Sequence, residues 1–381
     1  MIRISIIENN ILATNTIRGK LTQVLIDKGY EVQVLTTGQQ DELELARSRG
    51  FDVVDLKGIN RNPKDISNYV INLQRAIKRF KPDVVLTFTI RPAIWGNIVT
   101  RQLNIPTITN ITGIGPLFES DKLTYKAARG LYKFVLKKTK KIFFQNFDDM
   151  NLFLQKNFVK ADRAERIPGS GIDHAFYKPM HKDSAKTAFT FLFISRLIKD
   201  KGILEYVEAA RIIRKNHPTV NFEVVGPYWS QNLKHNTITK EDVYGWERDG
   251  TIIYKGSAED VRPFIANADC IVLPSWREGT SNILLEASSM EKPCITCDTT
   301  GCNEIVDDNV TGYLVEVRNS TDLAAKMQMM LNLSEEERLN MGKKARQRVI
   351  KNFDKQIVID AYLNAIDEVL TKNTQKAVHS A

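Results

Sequence analysis

Short apolar runs alternate with helix-length stretches along nearly the whole chain, and this alternation restricts the fold more than any single residue does. In the first half, Met1–Ile7, Glu31–Thr36, Phe51–Leu56, Asp83–Thr89, Pro106–Asn110 and Lys141–Gln145 read as strands. Helices are expected between them, over Ile17–Lys28, Asp65–Arg79, Ala93–Leu103 and Asp148–Asn157. From Thr190 the alternation restarts, with strands over Thr190–Ser195, Asn221–Gly226, Thr251–Gly256, Cys270–Ser275 and Lys292–Asp298. Strands joined through helices pair in parallel, because the crossover returns the chain to its starting edge. The expectation is an α/β protein with two parallel-sheet halves, for which 381 residues suffice. Ligands of such sheets bind at the carboxyl ends of the strands.

The richest of these ends is Trp276-Arg277-Glu278-Gly279-Thr280-Ser281-Asn282-Ile283-Leu284-Leu285-Glu286-Ala287. It follows a buried-type strand and opens a helix. Gly279 allows a tight turn, Thr280, Ser281 and Asn282 are cap-forming types, and the first-turn amides of Asn282, Ile283 and Leu284 form an anion site. Glu278 precedes the turn, and Glu286 sits just over one helical turn in, facing the same crevice. Amides for phosphate and carboxylates for hydroxyls suit a sugar nucleotide. A second polar turn, Arg196-Leu197-Ile198-Lys199-Asp200-Lys201-Gly202, follows the strand that opens the second half. A fixed Arg196 and Lys201 would stabilise the charge that grows on a departing diphosphate.

Together these stretches resemble glycosyltransferase family 4, retaining enzymes of the GT-B fold. The glutamate pair sits in Pro-Ser-x-x-Glu-Gly-x-x-x-x-x-Leu-Glu-Ala, and the basic turn is similar to the family's Arg-(x)4-Lys-Gly signature. Arg166–Asp173 is similar to its strand ending in Gly-(Val/Ile)-Asp, Thr300–Val306 to its Gly-x-x-Glu-(Ile/Leu)-(Val/Ile) segment, and Asn110–Pro116 to a Thr-Gly-Leu-Gly loop of a branch that builds bacterial surface polysaccharides. The resemblance implies two Rossmann-like domains facing a central cleft, with residues 1–173 binding acceptor and 187–352 binding the nucleotide sugar. A C-terminal helix within 353–381 would cross back to the first domain.

It further implies transfer of a sugar, an N-acetylhexosamine, from a UDP-sugar to a saccharide on polyprenyl diphosphate, as in capsule, O-antigen or glycan assembly. Glu278 would hold donor-sugar hydroxyls and Glu286 the ribose, Arg196 and Lys201 the diphosphate, with Gly226 and Ser257 on flanking donor loops. No cofactor is implied, and no Asp-x-Asp metal motif is placed to hold the diphosphate. Retention has two routes, a double displacement through a carboxylate or a front-face reaction; the resemblance favours the second.

The first half departs from the family pattern. Its loop Glu8–Thr16 has no glycine, which removes the usual dinucleotide fingerprint. Asn15, Thr16 and Arg18 are candidates for acceptor contact, with helix capping the alternative for Thr16. No histidine precedes His174 to serve as the family's donor-contacting histidine, so Thr112 and the amides around Gly113 are its substitutes, a plain tight turn being the alternative.

A net charge of +9 calls for an anionic partner. Lysines and arginines crowd 122–141, and Leu131, Phe134 and Val135 share a helical face there. Such a helix either lies on anionic lipid or packs its apolar stripe on its own domain. The first reading places the protein peripherally on the inner face of the cytoplasmic membrane. No nucleic-acid-binding motif is visible, and no apolar run approaches the roughly 20 residues that span a bilayer. Cys294 and Cys297 mimic a metal half-site, but in a strand they point to opposite faces, so all four cysteines are expected as core residues. Two other readings share the architecture: a UDP-sugar epimerase, and a non-catalytic nucleotide-sugar-binding scaffold.

Overall fold

A computed structural model of the chain describes residues 1–57, 63–114, 118, 123–183, 185, 187–229 and 236–379. The chain divides into two compact units, Met1–Ser170 with Gln356–Ala381 (unit 1) and Gly171–Lys355 (unit 2).

Unit 1 runs β1 (Arg3–Ile7), α1 (Gly19–Asp27), β2 (Glu31–Thr36), α2 (Gln40–Ser48), β3 (Asp52–Asp55), α3 (Pro63–Phe80), β4 (Val84–Phe88), α4 (Ile90–Gln102), β5 (Thr107–Ile111), α5 (Leu123–Leu136), β6 (Lys141–Phe144), α6 (Phe147–Gln155) and β7 (Ala164–Arg166). Its strands form one parallel sheet in the order β3-β2-β1-β4-β5-β6-β7. The central strands β4 and β5 are wholly buried, as strands covered by helices on both faces must be, while the edge strands β3 and β7 are only partly so.

Unit 2 runs β8 (Thr190–Ile194), α7 (Ile203–Arg214), β9 (Asn221–Val225), α8 (Lys240–Arg248), β10 (Ile253–Tyr254), α9 (Arg262–Asn267), β11 (Cys270–Leu273), α10 (Asn282–Ser289), β12 (Cys294–Cys297), β13 (Gly312–Val315), α11 (Ser320–Asn332) and α12 (Glu335–Phe353). The strand order is β10-β9-β8-β11-β12-β13, again parallel. In both sheets the order reverses beside the first strand, β1 next to β4 and β8 next to β11. This switch point opens a crevice at the carboxyl ends.

The final helix, α13 (Lys355–His379), belongs to unit 1 from Gln356 onward. Val358, Ile359, Tyr362, Ala365, Ile366 and Val369 recur at helical spacing and are buried in the core of β1, β2, β4 and α1. Asp354 is the break between α12 and α13.

Several local expectations change. The glycine-free stretch after β1 is not a loop throughout: the helix begins at Leu12, and Thr14–Arg18 form a π-helical turn before α1. In the polar stretch between β9 and β10, Thr239 and Asp242 form a capping box that starts α8, on which Trp246 packs against the core. Residues 230–235 of it lie outside the described residues, as do Gly115, Pro116, Lys122, Ser184 and Lys186.

The stripe expected on α5 is rotated. Tyr132, Val135 and Leu136 are buried against Phe144 and Phe153, whereas Leu131 and Phe134 are exposed. Packing chose the face with the tyrosine, whose ring meets Phe153 edge-on. Within the stretch between the two expected domains, after Asp173, Lys182 is held on unit 2, its Nζ 2.8 Å from Asp269.

Candidate active site

Loops that are distant in sequence become neighbours because their strands are neighbours. β8 pairs with β11, and β11 with β12, so the segments 195–202, 274–282 and 298–301 leave the sheet side by side. Backbone bonds then tie them together. Asp200 O accepts from Trp276 N at 2.9 Å and from Ser275 Oγ at 3.2 Å. Glu278 N donates to Thr300 O, and Ser281 N to Gly301 O, both at 3.0 Å.

Two glycines permit this closeness. Gly202 has φ +76°, and a Cβ there would fall 2.0 Å from Pro274 O. A Cβ on Gly301, also at φ +76°, would fall 2.6 Å from Glu278 O. Any larger residue would push the basic turn or the glutamate turn out of place.

The basic turn is braced from the other side. Leu197 N donates to Pro227 O at 3.0 Å and Lys199 N to Asn236 O at 3.0 Å; Asn236 Oδ1 accepts from Asp200 N at 2.9 Å. Within this frame Lys201 Nζ lies 2.5 Å from Glu278 Oε1, each side chain mostly buried. The expected diphosphate cation and the expected sugar-binding carboxylate thus neutralise each other in the free protein. Arg196 is exposed, its guanidinium 4.6 Å from the centre of the Trp229 ring. That cation–π contact restrains a long side chain without burying it.

Helix α10 begins at Asn282, and its N-cap Ser281 makes no side-chain cap bond, so the first-turn amides keep their capacity for an external acceptor. One turn in, Glu286 is partly buried, and that burial pushes its carboxyl up to about 7, against the lowering effects of a Tyr177 hydrogen bond and the nearby Lys355 ammonium. Gly226 stands beside the basic turn, where a Cβ would meet Ser195 O at 1.7 Å, and its N donates to Gly256 O at 2.8 Å. Ser257, exposed, follows on the same loop. The structure therefore gathers Arg196, Lys201, Gly226, Glu278 and the start of α10 along one sheet edge, with Gly279 and Thr280 in the turn between.

The candidates in unit 1 are placed differently. Arg18 is 6% exposed, its Nε 3.4 Å from Glu8 Oε1. Asn15 Nδ2 donates to Glu42 O at 2.9 Å, and Thr16 Oγ1 bonds back to Leu12 O at 2.6 Å instead of capping. Thr112 and Gly113 stay partly exposed at the end of β5, and Gly113 has φ +140°.

Sequence reading passed over several supports of this site. Trp276 packs under the guanidinium of Arg318 at 3.9 Å and donates from Nε1 to Glu205 at 3.2 Å, fixing the residue two before Glu278. Trp229 and Asn236 were also missed as partners of Arg196 and the basic turn. No local pattern marks them, because each acts through a contact made only on folding.

Comparison with known proteins gives a consistent answer. A family model described as "Glycosyl transferases group 1" matches residues 179–348, and one described as "Glycosyl transferase 4-like" matches residues 12–146. A Campylobacter jejuni N,N'-diacetylbacillosaminyl-diphospho-undecaprenol alpha-1,3-N-acetylgalactosaminyltransferase is 24% identical over 93% of this chain and 95% of its own length. An Escherichia coli UDP-Gal:alpha-D-GlcNAc-diphosphoundecaprenol alpha-1,3-galactosyltransferase is 27% identical over 79% of this chain and 81% of its own. Among solved structures, a sucrose-phosphate synthase from Thermosynechococcus elongatus superposes with a TM-score of 0.82 at 16% identity, covering 98% of this chain and 100% of that one. Anabaena HepE in complex with UDP-glucose gives 0.79 at 15% identity, covering 97% and 100%. The comparisons do not favour an epimerase, and with the two matched regions lying one on each parallel-sheet unit, the chain belongs to the family 4, group 1 glycosyltransferases of the GT-B fold.

Proposed function

We propose that the protein transfers a sugar, an N-acetylhexosamine, with retention from a UDP-sugar to a saccharide carried on a polyprenyl diphosphate. One observation carries the donor half of this reading: Lys201, Glu278 and the amide end of α10 meet at the β8–β11 switch point, with Glu286 one turn along. The diphosphate would accept from the α10 amides, Lys201 and Arg196. Glu278, released from Lys201 as phosphate takes its place, would accept from sugar hydroxyls, and Glu286 from the ribose.

In the transfer, the bond from the anomeric carbon to the β-phosphate oxygen breaks and a bond to the acceptor oxygen forms on the same face. The departing phosphate takes the acceptor's proton, and the two cations stabilise its charge. No cofactor or metal enters this scheme. On unit 1, Thr112 and Gly113 would stand on the acceptor side; Asn15 and Arg18, engaged internally, would shape that surface from beneath, and the exposed Thr16 would lie on it.

The acceptor class is supported by the two relatives described above, whose names specify undecaprenyl diphosphate-linked saccharides. A peripheral position on the inner face of the membrane follows from such an acceptor. Leu131 and Phe134 stand exposed on α5 beside Lys126, Lys137 and Lys138, a pairing of apolar and basic groups that suits an anionic bilayer. Among the described residues no helix is long and apolar enough to cross a membrane. Flotation with anionic vesicles tests the surface: Leu131→Ser with Phe134→Ser should abolish binding, and no binding by the wild type would remove the membrane part of the reading.

The donor reading is tested by thermal stabilisation with UDP and a panel of UDP-sugars. A ligand of the folded state alone must raise the midpoint. Stabilisation by UDP and one UDP-sugar, lost in Arg196→Ala with Lys201→Ala, supports it. Folded protein that responds to none of them leaves the scaffold reading.

A further inference from the structure

Lys201 and Glu278 stand on turns whose backbones are fixed. Lys201 closes a tight helical turn, Lys199–Lys201, in which its own N donates to Ile198 O at 3.1 Å and Gly202 N donates to Lys199 O at 2.8 Å. Glu278 N donates to Thr300 O at 3.0 Å, and Glu278 O lies too close to Gly301 for that residue to carry a Cβ. Only the two side chains are left to part. Their contact is nearly dry, with Nζ 2.5 Å from Oε1 and the side chains of Lys201 and Glu278 12% and 15% exposed.

An ion pair this far buried resists the loss of one member, because the other remains as a charge that water does not reach. The partners can still be exchanged, since an ammonium offers three donors and a carboxylate about four lone-pair positions. A diphosphate supplies anionic acceptors for Lys201 but repels Glu278. A sugar supplies hydroxyl donors for Glu278 but no charge for Lys201. Either one alone must separate the pair and strand one charge. When both are present the pair is separated once, and each charge finds a partner.

We propose that the Lys201–Glu278 contact couples the two halves of the donor site: a diphosphate on Lys201 readies Glu278 for sugar hydroxyls, and a sugar on Glu278 releases Lys201 to the diphosphate. This rests on the donor-site reading given above and concerns the contact itself, not the role of either residue with ligand bound. The site therefore takes a whole sugar nucleotide more strongly than its two fragments would predict, and it holds free sugar or bare UDP weakly. After transfer the sugar has left, Glu278 is again without hydroxyls, and re-forming the pair favours release of UDP. Such coupling is reciprocal: the sugar strengthens UDP by the same factor as UDP strengthens the sugar.

The test is calorimetric titration of UDP into the full chain, alone and with an excess of N-acetylglucosamine or of N-acetylgalactosamine. In the wild type one of the two free sugars should tighten UDP about tenfold. Glu278→Gln, which leaves Lys201 unpaired in the empty site, should bind UDP without sugar about tenfold more tightly than the wild type does. Lys201→Met should bind UDP equally with and without the sugar, whereas Lys201→Arg, which keeps a cation for Glu278, should retain the coupling. Should Lys201→Met fail to fold with Glu278 left alone, the double variant Lys201→Met with Glu278→Gln carries no stranded charge and should likewise show no effect of sugar. A wild type whose UDP affinity ignores both sugars, a Glu278→Gln that binds UDP no more tightly, or a coupling that survives in Lys201→Met overturns the inference and leaves the donor site standing. A wild type that binds neither UDP nor the UDP-sugar of either hexosamine overturns the donor-site reading and this inference together.

Discussion

Both units place an acidic and a basic side chain at the switch point of their sheets, yet the two pairs do opposite work. In unit 1, Glu8 follows β1 and Arg18 ends the π-helical turn, with both almost fully buried. Thr14 Oγ1 reaches Glu8 at 3.2 Å, and Arg18 lies 4.3 Å over the Phe88 ring. Beside them Asn110 donates to the hydroxyl of Tyr362, which α13 brings in, at 2.6 Å. In unit 2, Lys201 and Glu278 form the corresponding pair, but their turns stay open beside the exposed Arg196.

Burial decides the difference. A sealed pair has already lost its water and can only stabilise or destabilise the fold, whereas a pair at an open edge can exchange its partner for a ligand. The glycines follow the same division. The unit 2 turn needs Gly202 to lie against Pro274, and the unit 1 segment, filled by side chains, needs none between Glu8 and Arg18.

The largest effect that would sharpen this contrast is on stability. Arg18→Ala leaves Glu8 buried without its cation, and should cost about 3–5 kcal/mol in denaturant unfolding while UDP affinity in the folded fraction is unchanged. Normal stability with lost UDP binding would reverse the assignment of the two pairs. Next in size, Lys201→Met should lower transferase kcat/KM by about 10²–10³-fold in protein that remains folded. A loss below about threefold would remove Lys201 from charge stabilisation.

A pH series probes Glu286. Its folded carboxyl, at about 7 against an ordinary 4.5, holds a proton that the unfolded chain releases. Stability from this group is complete below about pH 4.5 and is lost as pH rises through about 7, a change of at most about 3 kcal/mol. Glu286→Gln should flatten that part of the profile, and an unchanged slope would assign it to other groups. The smallest expected change is from Tyr362→Phe, which removes the Asn110 bond and should cost about 1–2 kcal/mol without altering donor binding. Loss of donor binding in this variant would mean that the unit 1 network reaches the donor site.

The parallel sheets, the strand–turn–helix at Glu278 and the basic turn were legible because each is written locally, in apolar runs, glycines and cap residues within a few positions. The α5 stripe was misread because periodicity offers more than one face and only contact with Phe153 selects Tyr132 over Leu131. The π-helical turn was not legible either; it depends on Glu8 drawing Thr14 and Arg18 inward.

The amino-acid sequence by itself determined two helix-covered parallel sheets and named Arg196, Lys201, Glu278 and Glu286, since secondary structure and cap chemistry are short-range. Only the tertiary structure decided that Lys201 pairs with Glu278 and that Arg18 is sealed inside unit 1. Those facts depend on which strand ends lie side by side and which charges lose their water, and both are properties of the packed sheets.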